Sequence, residues 1–122
     1  MIRATWTGTA VSDNDRLAHG KQGRMFANKE YTAFKEGMAA AIERDDPCEG
    51  DPNRHSNGRI SVMLRVDLPP RMDTSAIIKA ACDAVQLSGA ISNDNQIDRL
   101  IVERVGRSPR GESRIEFEIQ EV

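Results

Sequence analysis

The chain has 122 residues, of which 39% are hydrophobic and 30% charged, a size and composition typical of one globular domain. No apolar run approaches the roughly 20 residues of a membrane-spanning helix, which argues against an integral membrane protein. A net charge of −2 argues against indiscriminate coating of nucleic acid. The opening lacks the pattern of a secretory signal, and the two cysteines lack metal-binding spacing. We therefore expect one domain over residues 1–122, located in the cytoplasm.

The first half of the sequence predicts a strand, a long loop and a helix. Residues 2–7 alternate apolar and polar side chains, which is the period of a half-buried strand. Residues 8–23 are mostly glycine and polar residues, which predicts an irregular loop of a length that is often functional. From Tyr31 to Ile42 the large apolar residues recur at helical spacing, and Asn28 precedes them as a candidate cap. These residues predict the first helix.

The second half predicts three strands and a second helix. Residues 45–58 are rich in proline, glycine and asparagine, which indicates a surface connection. Residues 59–68 alternate cleanly and predict a strand, and residues 76–89 predict a helix that Gly89 terminates. Strands are also predicted over 97–105 and 115–119. This order predicts a two-layer α+β fold, with two helices packed on one face of a mixed β-sheet.

Common enzyme signatures are missing from the sequence. The phosphate-binding loop, the dinucleotide-binding glycine pattern, the zinc-protease HExxH motif and the GxSxG nucleophile motif do not occur. The two histidines, His19 and His55, fall in separate predicted loops without cysteines at zinc spacing. We therefore interpret both histidines as surface residues.

Acidic residues flank the second predicted helix and are candidate metal ligands. Asp73 precedes the helix, Asp94 follows it, and Lys79 lies within it. Mg²⁺ commonly binds one or two carboxylates together with water and substrate phosphate. If the strands before and after the helix lie side by side, Asp73 and Asp94 can approach one edge of the sheet. The sequence thus suggests an acidic site around this helix.

Purely structural interpretations of the same residues stand beside the functional one. Asp73 or Ser75 can cap the helix by accepting hydrogen bonds from its first amides. Lys79 and Asp83 have the i,i+4 spacing of a solvated ion pair. Asp94 can form a local turn with its own backbone. From these residues alone, both interpretations remain open.

A basic segment lies in the predicted first loop and at the start of the first helix. Arg16, Lys21, Arg24 and Lys29 fall within fourteen positions, with no acidic residue between the first and the last. Clustered cations of this kind favour contact with phosphate groups. This segment is the first candidate surface for an anionic partner.

Two motifs resemble the RusA family of phage-type Holliday junction resolvases. Residues 70–84 read PRMDTSAIIKAACDA and residues 93–97 read NDNQI, similar to the family pattern DxDN-x-x-KAxxDAL followed by DD-x-Q and a hydrophobic residue. Residues 8–14 lie where the family has a G-x-PPS-x-N loop, and residues 23–26 match its G-R-x-apolar stretch. The resemblance implies an α+β homodimer that cuts four-way DNA junctions with Mg²⁺, or with Mn²⁺ as a substitute.

The resemblance also implies roles for individual residues. Asp73 and Asp94 match acidic positions that bind the metal and take part in catalysis. Lys79 matches the lysine of the helix and would offset negative charge in the transition state. The side chains expected to contact DNA phosphates are Arg16, Lys21, Arg24 and Arg71.

The sequence departs from the family pattern at the metal site. Ser75 stands where the family has its second aspartate, Ala76 replaces the following asparagine, and Asn93 replaces one acidic position. Serine brings no negative charge to a cation, so fewer carboxylates should weaken Mg²⁺ binding. Ser75 itself, Asp98 or Asp67 are the residues that can substitute for the missing ligand.

Three hypotheses follow. The first is a Mg²⁺-dependent endonuclease that resolves Holliday junctions in recombination and repair. The second is a junction-binding protein of the same fold that has lost catalysis through the replacement at Ser75. The third is a protein-interaction module without a role on DNA, which the net charge of −2 favours.

Overall fold

The structure, a computed structural model, describes residues 1–15, 17–19, 25–47 and 58–122. Two helices lie in these ranges, α1 (Lys29–Asp45) and α2 (Ile78–Leu87). Short 3-10 helices occupy Asp13–Asp15, Thr74–Ile77 and Asp94–Gln96. The strands are β1 (Ile2–Gly8), β2 (Leu17–His19), β3 (Met25–Ala27), β4 (Ile60–Leu68), β5 (Ile97–Arg107) and β6 (Ser113–Glu121).

Four strands form one mixed sheet in the order β1, β6, β4, β5. The pairs β1–β6 and β6–β4 are antiparallel, whereas β4 and β5 run parallel. A parallel pair needs a crossover connection, and α2 provides it. The strands β2 and β3 form a separate antiparallel pair. The predicted α+β class with a mixed sheet is confirmed.

The core lies between the two helices and one face of the sheet. Every second residue of β4 from Ile60 to Leu68 is buried, as period-two alternation requires. Phe117 of β6 and Met38 of α1 belong to the same buried cluster, as do Ala80 and Ala84 of α2. Burial of this apolar surface fixes the register of the strands, because a slip by one residue would expose it.

Gly37 in the middle of α1 has a packing role. A Cβ atom at this position would lie 2.9 Å from Nε1 of Trp6 in β1, closer than side-chain carbons approach. The Trp6 ring also packs against Phe34, with ring centroids 4.9 Å apart. The glycine that weakens the helical pattern therefore allows α1 to approach β1 closely.

The predicted element order agrees with the structure, and the differences are local. The loop predicted over 8–23 contains the first 3-10 helix and β2, and β3 follows it; these three elements were not predicted because each spans only three residues. The second helix begins with a 3-10 turn, and β5 extends two residues beyond its predicted end. Residues 48–57 of the predicted surface connection lie outside the described residues. None of the helices in the described ranges combines the length and apolarity that a membrane span requires.

Candidate functional site

A cleft of about 510 Å³ opens where β4 ends and the chain turns into α2. Its walls come from the first loop (residues 10–12, 14 and 15), the start of α1, the β4–α2 connection and the turn between β5 and β6. Both acidic and basic side chains line it. They are Asp15, Glu30, Arg71, Asp73 and Arg110.

The β4–α2 connection is fixed by backbone contacts and by one arginine. The Arg104 guanidinium of β5 donates hydrogen bonds to the carbonyl oxygens of Leu68, at 3.5 Å, and of Met72. The Met72 amide in turn donates to the Pro69 carbonyl at 3.0 Å. These bonds hold the segment that carries Asp73 against the sheet.

Asp73 precedes the 3-10 helix that leads into α2, but its side chain makes no hydrogen bond to the amides of that helix. The interpretation of Asp73 as a side-chain cap is therefore wrong. Its carbonyl oxygen accepts the Ala76 amide at 3.0 Å, so the backbone alone begins the turn. The carboxylate is left at the wall of the cleft.

The carboxylate that caps α2 belongs to Asp13, far away in the sequence. Its Oδ2 accepts the Lys79 amide at 2.9 Å, and its Oδ1 accepts the Ala80 amide at 3.1 Å. The Tyr31 hydroxyl of α1 donates to Oδ1 at 3.0 Å. Sequence reasoning missed Asp13, because nothing local to a DND loop indicates a contact more than sixty residues ahead.

Lys79 forms the predicted i,i+4 contact. Its Nζ lies 3.8 Å from Oδ2 of Asp83, and Nζ of Lys35 from α1 lies 3.6 Å from the same oxygen. The Lys79 side chain is 54% exposed, whereas those of Asp83 and Lys35 are about half as exposed. Asp83 is therefore shared between the helices, and the Lys79 ammonium stays accessible from solvent.

The pKa of Cys82 reflects the charges on this face of α2. Burial first, and then the negative charges of Asp94, Asp83 and Asp13, raise the pKa of its thiol to about 11, while the positive charge of Lys79 acts to lower it. Coulomb interactions fall with distance, so these charges lie around the middle of α2. Acidic groups from three separate segments thus surround one helix.

The connection after α2 is organised by Gln96, which is buried. Its Oε1 accepts the Ser92 amide, the Ser92 hydroxyl and the Asn93 amide, each at 3.0 Å. Its Nε2 donates to the Gly58 carbonyl at 3.0 Å. One amide side chain therefore closes the loop that presents Asp94.

Asp94 does not form the local turn that its Asn-rich surroundings suggest. Asn93 does so instead, since its Oδ1 accepts the Asn95 amide at 3.0 Å. The Asp94 amide donates to Oε1 of Gln86 in α2 at 3.2 Å, which places Asp94 beside the end of the helix. Its side chain is exposed, and the interpretation as a turn-forming aspartate is wrong.

Asp73 and Asp94 lie at opposite ends of the parallel strand pair. Asp73 follows the carboxyl end of β4, and Asp94 precedes the amino end of β5, where Ile97 pairs with Ile60. At about 3.3 Å per residue, the ends of a nine-residue strand are roughly 25 Å apart. The sequence predicted that side-by-side strands would bring the two connections to one edge of the sheet. Because β4 and β5 are parallel, they do not.

The oxygen donors of the cleft suit a hard cation that has few protein ligands and also binds water and substrate. Within the described ranges, no three His, Cys, Asp or Glu side chains form a group that could hold a metal ion. Asp73 shares the cleft with the carboxylates of Asp15 and Glu30, and oxygen donors are those that Mg²⁺ prefers. Because Mg²⁺ commonly needs only one or two carboxylates besides water and phosphate, these residues fit an ion held jointly with a substrate.

None of the three residues considered as substitute ligands lines the cleft that holds Asp73. Ser75 is exposed and does not line the cleft. Asp98 pairs with Arg59 near the amino end of β5. Asp67 alternates with the buried residues of β4, so its side chain lies on the face of the sheet opposite to the helices.

Two arginines give the cleft a basic side. Arg71, which the sequence predicted as a phosphate contact, lines it, and Arg110 from the β5–β6 turn lines it as well. Arg110 lies 3.8 Å from Glu30, and both side chains are more than 70% exposed. Sequence reasoning missed Arg110 because only the fold brings this turn to the cleft. The predicted contacts Arg16, Lys21 and Arg24 lie outside the described residues.

Comparison with known proteins agrees with the motifs around this cleft. The search of curated proteins found no match. The family model described as endodeoxyribonuclease RusA matches residues 8–120, nearly the whole chain. The match includes the first loop, the cleft, α2 and the Asp94 loop. This chain therefore belongs to the RusA family of endodeoxyribonucleases.

Proposed function

We propose that this chain is a Mg²⁺-dependent endonuclease that selects and cleaves four-way DNA junctions during recombination and repair in the cytoplasm. One observation carries the proposal beyond family membership. The Asp73 carboxylate is not used for capping and lies at the wall of a cleft that also holds Arg71 and Arg110. A carboxylate beside two guanidinium groups suits a cation and a phosphate bound together.

The proposed roles in the cleft follow from charge. Asp73 is the ligand for Mg²⁺, and Mn²⁺ can take its place. When bound, the cation supplies Lewis-acid stabilisation of the scissile phosphate. Arg71 and Arg110 contact neighbouring phosphates, which positions the DNA without reading its bases.

The face of α2 supplies the second part of the proposed site. The exposed Lys79 ammonium offsets negative charge that develops in the transition state. Asp94 lies too far from Asp73 to share one cation, so we propose it as the ligand of a separate Mg²⁺ ion at the far end of the helix. The Lys79 and Asp94 side chains are both exposed, and the Asp94 amide is bonded to Gln86 of the same helix, which supports their assignment to one DNA-facing surface.

A homodimer completes the proposal. Two cuts placed symmetrically across a junction need two active sites, and a two-fold axis in the protein matches the near two-fold symmetry of the substrate. Cross-linking or sedimentation at micromolar concentration tests this part independently of cleavage. A monomer that cuts both strands would contradict it.

A second candidate function is a junction-binding protein without catalysis. Ser75 at the family's second aspartate position favours it, as does the lack of a three-ligand metal group within the described residues. Such a protein would keep a salt-sensitive affinity for junctions, because phosphate contacts release counterions from DNA. Removal of the metal would leave that affinity unchanged.

The deciding experiment measures cleavage and binding of a labelled four-way junction against a linear duplex, with Mg²⁺, Mn²⁺ or EDTA. The variants are Asp73→Asn and Ser75→Asp, and Asp45→Asn at the exposed end of α1 is the matched control for the lost carboxylate. We expect junction-selective cleavage that EDTA and Asp73→Asn abolish, with Asp45→Asn unchanged and Ser75→Asp more active.

The other outcomes are equally distinct. Binding without cleavage in the wild type, with cleavage gained by Ser75→Asp, would establish the junction-binding protein. No structure-selective binding at low salt would overturn both candidates and favour an interaction module. Cleavage that persists in EDTA would overturn the proposed dependence on a divalent cation but would leave the proposed nuclease activity standing.

A further inference from the structure

Asp13 links the loop at the cleft to α2, two segments to which the proposed mechanism gives separate roles. It lies in the 3-10 helix after β1, in the loop that forms one wall of the cleft. Its carboxylate accepts the amides of Lys79 and Ala80, which are 66 and 67 residues further along the chain. The loop at the cleft and the helix that carries the proposed catalytic lysine are thus bonded directly.

No residue next to α2 supplies a side-chain cap. Ile77, at the N-cap position, cannot accept hydrogen bonds through its side chain, and Asp73 does not cap the preceding 3-10 turn. The first amides of a helix lack partners within the helix and carry partial positive charge, so an anionic acceptor is favourable there. Asp13 meets that need, and one of the amides it binds is that of Lys79 itself.

The ammonium group of the Lys79 side chain contacts Asp83, one turn later in α2. Asp83 lies within 4 Å of the ammonium groups of both Lys79 and Lys35. Tyr31, one turn before Lys35 on α1, donates its hydroxyl to Asp13. The Lys79 backbone is therefore bonded to the first loop through Asp13, and its side chain is linked to α1 only through the shared Asp83.

We propose that Asp13 is a positioning residue for Lys79: its carboxylate fixes the first turn of α2 against the cleft loop and so sets where the Lys79 ammonium meets DNA. This role rests on the proposed function, because it matters only if Lys79 acts on a junction. Asp13 itself touches no substrate in the proposal. Its effect on the reaction passes through Lys79.

A double-mutant cycle between Asp13 and Lys79 tests the role. We expect Asp13→Asn to lower kcat on a saturating junction by about ten- to a hundredfold with KM within twofold, because a displacement of about 1 Å in a reacting group has effects of that size. In a Lys79→Met background, Asp13→Asn should change kcat by less than twofold. In a chain that binds junctions without cutting them, the same cycle is measured on junction affinity.

Two controls separate positioning from loss of folding. Ile119→Val removes one methylene group from the core at β6, away from the cleft, and should lower the Tm with kcat unchanged. Hydrogen exchange should show faster exchange of the Lys79 and Ala80 amides in Asp13→Ala than in the wild type. Tyr31→Phe, which removes only the hydroxyl contact, should leave both amides protected.

The failures of the two proposals are distinguishable. A wild type that cleaves, combined with an Asp13→Asn effect that persists undiminished in Lys79→Met, would overturn the positioning role and leave the nuclease standing. An equal loss of kcat in Ile119→Val and Asp13→Asn would do the same. A wild type that neither cuts nor binds junctions would overturn the proposed function and this role with it.

Discussion

At its first turn, α2 is held by Asp13, a residue 66 positions earlier in the chain, whereas at its last turn the contacts come from side chains a few residues away. Ser88 donates to the Val85 carbonyl at 2.7 Å and accepts the Ala90 amide at 3.2 Å, while Gln86 accepts the Asp94 amide. The first end depends on the tertiary fold, and the last end is organised by its own sequence. The end near the cleft is thus the one that a change elsewhere in the fold can displace.

The largest expected loss of stability comes from the loop after α2, where three of the four Gln96 hydrogen bonds are local and the fourth reaches Gly58. Gln96→Ala removes the acceptor of three hydrogen bonds and the donor to Gly58, so we expect the free energy of unfolding to fall by about 3 kcal/mol. Urea denaturation measures it. Gln120→Ala, an exposed glutamine of β6, is the matched control and should change stability little. A loss of similar size in both variants would mean that the Gln96 network contributes nothing specific.

A smaller loss is expected at the end held through the fold. Asp13→Ala leaves the Lys79 and Ala80 amides without their acceptor, and loss of a helix cap costs about 1 to 2 kcal/mol. The exposed neighbour Asp15 provides the control, since Asp15→Ala removes a carboxylate from the same 3-10 helix. Urea denaturation of both variants checks this, and equal losses would show that the α2 contact is not responsible.

The difference between the two ends also explains what the sequence could predict. The alternation of β4 and the spacing of α1 are local, and both predictions agree with the structure. The same is true of the i,i+4 contact between Lys79 and Asp83. The cap on α2 could not be predicted, because a contact across 66 residues leaves no periodic signal.

Only those residues of the candidate site that belong to the family motifs could be predicted from the sequence. Asp73, Lys79 and Asp94 could be named from the family pattern, but their relative placement depends on the direction of β4 and β5. The sequence pattern of a buried strand does not state whether its neighbour is parallel. Arg110 is a comparable case, since a turn between two strands shows no sign of the cleft that it borders.

Cys82 lies between the two ends of α2, and charged groups at both ends affect the pKa of its thiol. In a Cys48→Ser background, alkylation against pH should give a Cys82 pKa of about 11 for the wild type. Asp94→Asn and Asp13→Asn should each lower that pKa, with the larger decrease for Asp94→Asn, whose charge contributes more. The reverse order would mean that the Asp13 end of the helix dominates the electrostatics of this face.

The same thiol makes a small contribution to the pH dependence of stability. The pKa of Cys82 is raised in the folded chain above its ordinary value of 9.0, so folding favours the neutral thiol. That contribution is fully present below about pH 9 and is lost as the pH rises toward 11. Urea midpoints of the wild type and Cys82→Ala should therefore converge over this range. Parallel pH profiles for the two proteins would contradict the assignment.

The smallest effect is expected at Asp98, at the amino end of β5. The hydrogen bond from Arg59 and its positive charge lower the pKa of Asp98, but both side chains are substantially exposed, and solvent screens such pairs strongly. Because Asp98 already pairs with Arg59 at the end of the sheet away from Asp73, Asp98→Asn should leave junction cleavage within twofold of the wild type. Cleavage assays beside Asp73→Asn measure the contrast directly. A loss approaching that of Asp73→Asn would mean that Asp98 supplies the carboxylate missing at Ser75, and that the end of the sheet near Asp94 holds the cation needed for cleavage.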